Sequence, residues 1–144
     1  MPCKINRTEN VKKTLDYIPF MEYNINMWEV EYTGEFEEWW ETLGEAEQDA
    51  VAFSVGLLRN EGPSLKYPHS TDVRQSRHNS MRELRSQCKG RPIRTFYAFD
   101  PRRTAILLIG GDKTGNDRFY EEFVPIADKI YDDYLKEIRR ENNG

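Results

Sequence analysis

The residues best suited to chemistry in this chain are basic. Arg85, Arg94 and Lys113 lie on or just after three strand-like segments, and Arg118 and Tyr120 open the amphipathic stretch that follows. If those segment ends converge, several cations and one phenol surround a single point. That set suits phosphodiester cleavage by a neighbouring 2′-hydroxyl, because cations stabilise the crowded phosphorane and one further group must move a proton. Arginine stays protonated and is a poor base. Tyr120, Lys113 or a loop histidine are therefore the candidates for the proton. The polar stretch 62–79 offers His69 and His78 with Arg74 and Arg77, and a loop of that length is often functional.

Other chemistries find less support. Gly110 and Gly115 have the spacing of a phosphate-binding P-loop, but that loop requires Lys and then Ser or Thr after the second glycine. Here Asn116 and Asp117 follow. The stretch from Gly110 to Gly115 still offers backbone N–H groups and Lys113 to one phosphate, or it is an ordinary strand-to-helix turn. His69, His78, Cys3 and Cys88 are too scattered for a zinc site, so no metal or cofactor is expected. No Gly-x-Ser-x-Gly elbow occurs. Glu37, Glu38 and Glu41 fall at solvent-face positions of a helix.

The net charge of −4 argues against a nucleic-acid partner until its distribution is considered. Residues 22–61 carry eleven acids against Arg59 alone, whereas residues 66–103 carry ten bases, Arg82 among them, against three acids. A basic middle in an acidic chain is a local field, and local fields decide where a polyanion lands.

The elements that must position these residues are legible from periodicity. Trp28, Val30 and Tyr32 alternate with Glu29 and Glu31, which predicts a half-buried strand over 27–33. Thr33 offers an N-cap, and Phe36, Trp39, Trp40 and Leu43 form one helical stripe that Gly44 ends. A second helix is expected over 45–60, with Ala46, Ala50, Phe53, Leu57 and Leu58 inward and Gly62-Pro63 as its stop. Strands are expected over 80–86, 92–99 and 104–109. Met81, Glu83 and Arg85 share one face of the first, and an Asp100-Pro101 turn separates the last two. The apolar 104–109 segment reads as central in the sheet. A long helix follows, in which Pro125 marks either a kink or the first turn. The predicted order is β-α-α-β-β-β-α: an α+β fold with a small antiparallel sheet, an N-terminal helical hairpin and a C-terminal helix.

Domain organisation is simple. Residues 1–26 form an extension of uncertain role, or the native chain starts at Met27, and residues 27–144 form one domain. The longest apolar run, Ala105 to Ile109, is too short to cross a membrane, and the N-terminus has no signal-peptide pattern. With two distant cysteines, a cytoplasmic protein is expected.

Certain runs then become recognisable in a fixed order: Trp28-Glu-Val-Glu-Tyr, Phe36-x-x-Trp39-Trp40, Met81-Arg82-Glu83-Leu84-Arg85, Ile93-Arg94-Thr95-Phe96-Tyr97, Gly-Gly-Asp-Lys-Thr-Gly, and Tyr120 to Ala127. From about Met27 to Ile138 the chain resembles the HigB-type, phage-Gp49-like branch of the RelE/ParE toxin superfamily. The resemblance implies the toxin of a type II toxin–antitoxin system. That toxin is a metal-independent endoribonuclease acting on mRNA, on the ribosome or free, and a cognate helix-turn-helix antitoxin neutralises it. By the same resemblance Arg85 holds the scissile phosphate, Lys113 is the basic residue after the last strand, and Tyr120 stacks on a base or assists proton transfer. Arg94 is a structural or phosphate contact. Arg118, Arg74, Arg77, Arg82, His69 and His78 are candidate RNA contacts. RelE-like members carry a lysine-rich end of the second helix, whereas Lys66 is the only lysine there in this chain, so His69 or His78 could replace the usual base. A gyrase poison without nuclease activity, or an inactive phage-borne relic that only binds an antitoxin, would share the fold.

Overall fold

The computed structural model describes residues 27–143. The proposed extension, residues 1–26, and Cys3 lie outside them. Alternation around Val30 and Tyr32 yields strand β1 (Val30–Tyr32). Thr33 caps α1 (Gly34–Glu41), its hydroxyl accepting the Phe36 N–H at 3.1 Å and donating to the Leu108 carbonyl at 2.9 Å. Gly44 ends the link and is the N-cap of α2 (Glu45–Glu61), where the Glu47 carboxylate accepts the Gly44 N–H. The remaining elements are β2 (Ser70–Asp72), β3 (Arg82–Cys88), β4 (Arg91–Phe99), β5 (Ala105–Asp112) and α3 (Phe119–Asn143). Pro125 is the seventh residue of α3, inside the helix.

The five strands lie in the order β1-β5-β4-β3-β2. The expected meander of β3, β4 and β5 is present, and β5 is flanked on both sides, as its apolar run implied. Three expectations need correction. First, the sheet is mixed, because β1 runs parallel to β5, with Val30 opposite Ala105. Two helices and three further strands separate these partners, so local periodicity carried no trace of the pairing.

Second, the polar stretch 62–79 is not all loop. Ser70–Asp72 pairs with β3, where Ser70 is buried and its hydroxyl lies 2.6 Å from the Tyr97 hydroxyl. A three-residue polar strand has too few residues to show a period. Third, the buried stripe of α2 is Val51, Val55 and Leu58, with Ala50 and Leu57 packed against the core as expected, whereas Ala46 is exposed and Phe53 is 49% exposed. Small residues set this phase: Ser54 and Gly56 are buried, and the Ser54 hydroxyl reaches the Ser86 hydroxyl of β3 at 2.7 Å.

Helices cover both faces of the sheet. Val30, Phe36, Val55, Leu84, Tyr97 and Leu107 pack on the α1–α2 side, while Phe96, Ile106, Leu108, Phe119, Ala127 and Tyr131 pack on the α3 side. Gly110 and Gly111, at the head of the glycine-rich stretch, belong to β5 and let the layers close. A Cβ on Gly110 would stand 2.4 Å from the Trp39 ring, and one on Gly111 would stand 2.7 Å from Phe123. No helix among the described residues is long and apolar enough to cross a membrane.

At one end of the sheet the buried Asp100 carboxylate accepts the Arg102 and Thr104 N–H groups and the Tyr134 hydroxyl, which fastens α3 to the β4–β5 turn. The opposite end, beyond the start of α3, is left open. Gly110→Val should drive its side chain into Trp39 and lower stability by about 1–3 kcal/mol, the usual cost of overpacking. Urea unfolding checks this, and an unchanged midpoint would show that Trp39 does not seat on Gly110.

Candidate phosphate-binding site

At the open end of the α3 face, β3 and β4 place two arginines directly opposite each other, Arg85 and Arg94. Like charges in that position repel, so the pairing needs a counter-charge. Glu83, two residues before Arg85 and therefore on the same face, provides it. Its carboxylate lies 3.5 Å from Arg85 Nη1 and 3.8 Å from Arg94 Nε. It also accepts the Thr71 hydroxyl at 2.8 Å and the Tyr120 hydroxyl at 2.8 and 3.1 Å. Glu83 and Arg94 are 3% and 5% exposed, so this is a buried ion pair, whereas Arg85 is partly open to solvent.

Tyr120 arrives by a separate route. Asn116 shapes the link before α3, its side chain accepting the Arg118 N–H at 3.0 Å. Phe119 and Phe123 then stack on Phe96, and this packing fixes the first turn of α3 over the sheet with Tyr120 edge-on to Phe96. Burial, followed by the hydrogen bond and charge of Glu83, pushes the Tyr120 phenol above its ordinary value, against an opposing effect of Arg94. The phenol is thus a neutral hydrogen-bond donor at physiological pH, with its proton directed at Glu83. Lys113 leaves the end of β5, its N–H bonded to the Pro92 carbonyl at 2.9 Å, and its ammonium sits 5.2 Å from the centre of the Tyr120 ring.

Pro68, Arg85, Gln87, Gly90, Pro92, Arg94 and Lys113 line a cleft of about 400 Å³ at this end of the sheet. Two of these cations share the Glu83 carboxylate and the third, Lys113, lines the same cleft, a local excess of positive charge suited to a phosphate group.

Of the residues singled out from sequence, Arg85, Arg94, Lys113 and Tyr120 come together. His69 stands beside them: Ser70 pairs with Leu84, which sets His69 opposite Arg85, and the His69 carbonyl accepts the Arg85 N–H at 2.9 Å. The other candidates are placed elsewhere. Arg82 lies on the opposite face of β3, where its guanidinium pairs with Asp72 and bonds the Ser70 hydroxyl and the Leu65 carbonyl. Arg77 and His78 are tied to Asp132 of α3 at 2.7 and 2.8 Å, with His78 edge-on to Tyr131. Tyr131 is eleven residues beyond Tyr120, roughly 16 Å along a helix, which removes His78 from the cluster. Arg118 is exposed and pairs with Glu121 one turn on. Arg74 is exposed on the turn after β2. Glu83 and Thr71 were not singled out, although the two-residue spacing of Glu83 and Arg85 already put that carboxylate on the face of the site.

With this geometry in place, sequence comparison identifies the class. Residues 38–132 match the family described as Phage derived protein Gp49-like (DUF891), and the chain belongs to that family. More particularly, it is 42% identical over 100 residues to "Putative toxin HigB3" of Mycobacterium tuberculosis (strain ATCC 25618 / H37Rv), covering 69% of this chain and 86% of that protein. It is 36% identical over 102 residues to "Putative toxin HigB2" of the same strain, covering 69% of this chain and about half (51%) of that protein. These similarities place the chain with HigB-type proteins. No solved structure matches it.

Removing one partner of a buried ion pair leaves an uncompensated charge. Glu83→Gln should therefore destabilise the fold by about 3–5 kcal/mol, and adding Arg94→Met should recover part of that loss. Urea unfolding of the single and double variants measures both effects. A single variant as stable as the parent would show that Glu83 is not the counter-charge of the site.

Proposed function

We propose that this chain is the toxin of a type II toxin–antitoxin pair and that it cleaves mRNA as an endoribonuclease, without a metal. The observation that carries the reading is the convergence of Arg85, Arg94 and Lys113 on one cleft, with Tyr120 bonded to the Glu83 carboxylate behind it and the His69 main chain bonded to that of Arg85. HigB-type relatives make the toxin class the natural context. In that context a cognate helix-turn-helix antitoxin restrains the protein, and the message is met during translation.

Arg85 takes the scissile phosphate, because its guanidinium faces the cleft and is partly exposed. Arg94 is too deeply buried to bind a ligand freely and supports the charge from behind. In the reaction the 2′-oxygen attacks phosphorus while the bond to the 5′-oxygen breaks. The 2′-hydroxyl proton passes to His69, and Lys113 returns a proton to the leaving 5′-oxygen. The products are a 2′,3′-cyclic phosphate and a 5′-hydroxyl. Tyr120 is held neutral, so its part is to offer its ring to a base and hold Glu83 in place, not to abstract the proton. Arg74 lies in the turn after β2, where it could meet flanking phosphates.

The test is inducible expression in a bacterial host with 5′-end mapping of cellular RNA, beside Arg85→Ala. The parent should arrest growth and produce new ends inside translated messages. Arg85→Ala should fold normally and cleave about a hundredfold to a thousandfold more slowly, as when one transition-state donor is removed. With purified protein, cleavage should persist in a chelator. A fully active, folded Arg85→Ala variant would overturn the assignment. Growth arrest with intact mRNA and damaged DNA would replace the nuclease with a gyrase poison, and no arrest would leave an inactive relic.

A further inference from the structure

One large aromatic side chain at this end of the molecule has no place in the hydrophobic core. Tyr67 is 70% exposed, more than either of the other large apolar side chains that stand out from the surface, Phe53 and Ile126. Exposing so much ring area forgoes burial that would otherwise stabilise the fold. Its location accounts for the exposure. Tyr67 lies between the buried Leu65 and Pro68, a wall of the cleft. The Lys66 carbonyl accepts the N–H groups of both His69 and Ser70, at 3.0 and 3.2 Å, which closes a turn around Tyr67 and Pro68. The His69 carbonyl then binds the Arg85 N–H, joining that turn to β3. As a result the Arg85 guanidinium lies over the Tyr67 ring, 5.5 Å from its centre.

We propose that Tyr67 is a stacking platform for a nucleobase and that, with Arg85, it forms a subsite for one nucleotide of a single strand. The inference rests on the reading of Arg85 as a phosphate ligand given above. A phosphate held by Arg85 brings its own or the neighbouring base within reach of the exposed ring. An aromatic face stacks on any base, so the platform holds single strands with little regard to sequence and splays the base from its neighbours. The anchored turn supplies the ring already oriented, which reduces the ordering cost of binding.

Fluorescence anisotropy tests this with two labelled octamers, one of 2′-O-methyl RNA, whose blocked 2′-hydroxyls prevent cleavage, and one an abasic ribose-phosphate chain of equal charge. Measurements at low salt allow phosphate contacts alone to register. Tyr67→Ala should melt like the parent. It should bind the base-bearing octamer about 5- to 100-fold more weakly, as for loss of one stacked base, and bind the abasic chain as the parent does. Tyr67→Phe should restore parent affinity, and Arg85→Ala should weaken both probes. Equal losses on both probes in Tyr67→Ala would overturn the subsite and leave Tyr67 only as a support for Arg85. No loss on either probe would overturn it as well. Both of those results leave the ribonuclease reading standing, whereas a parent protein that binds neither probe would remove the reading of Arg85 as a ligand for the phosphates of free RNA.

Discussion

The buried carboxylate of Glu83 is the constraint on which the functional end of this protein depends. Two arginines face each other across β3 and β4, and one of them, Arg94, is almost fully removed from water. Without a carboxylate between them that arrangement would be strongly unfavourable. Glu83 makes it possible and also fixes its parts. The same oxygens that meet the guanidinium groups accept from Thr71 on the edge strand and from Tyr120 on the last helix. One side chain thus binds β2, β3, β4 and α3 to a common point. The cations left facing the cleft, Arg85 and Lys113, are held in position before any ligand arrives. Preorganised charge of this kind is what a developing phosphorane requires.

The rest of the fold delivers those side chains. β5 is buried by α1 on one face and α3 on the other, and Gly110 and Gly111 allow both layers to approach. Phe119 and Phe123 lock the start of α3 on Phe96, so Tyr120 reaches Glu83 and the helix stops short of the end of the sheet. The uncovered end becomes the cleft. Burial of aromatic side chains, each worth about 3–5 kcal/mol on truncation, outweighs exposed ion pairs such as Arg118–Glu121 in setting this geometry.

Much of this was readable from the chain. The unbroken apolar run around Ile106 marked a strand covered on both faces, and the helical period after Phe119 marked the last helix, because burial on a regular element imposes those patterns. Arg85, Arg94, Lys113 and Tyr120 could be grouped because they lie on or just after three successive strands and at the start of the last helix. The illegible parts depended on distant partners. The β1–β5 pairing joins segments more than seventy residues apart, and β2 is a strand only because β3 offers it an edge. The phase of α2 was set by Ser54 meeting Ser86, not by the larger Phe53. Arg82, Arg77 and His78 looked like RNA contacts while only their charge was visible. Their carboxylate partners Asp72 and Asp132 are brought to them by the fold. Glu83 shows the reverse case, an acid in a basic segment whose role emerges only once the sheet sets Arg94 diagonally across from it on β4.

If the cationic cleft acts on RNA as proposed, the RNA's own 2′-hydroxyl is the nucleophile. The most direct measurement uses the purified protein and an RNA carrying a mapped cleavage site, compared with the same RNA bearing one deoxyribonucleotide immediately 5′ to the broken bond. The first RNA should yield a 2′,3′-cyclic phosphate and a 5′-hydroxyl, and the second should show no break at that site. A 5′-phosphate product, or equal cutting of the deoxy-substituted RNA, would contradict the proposal.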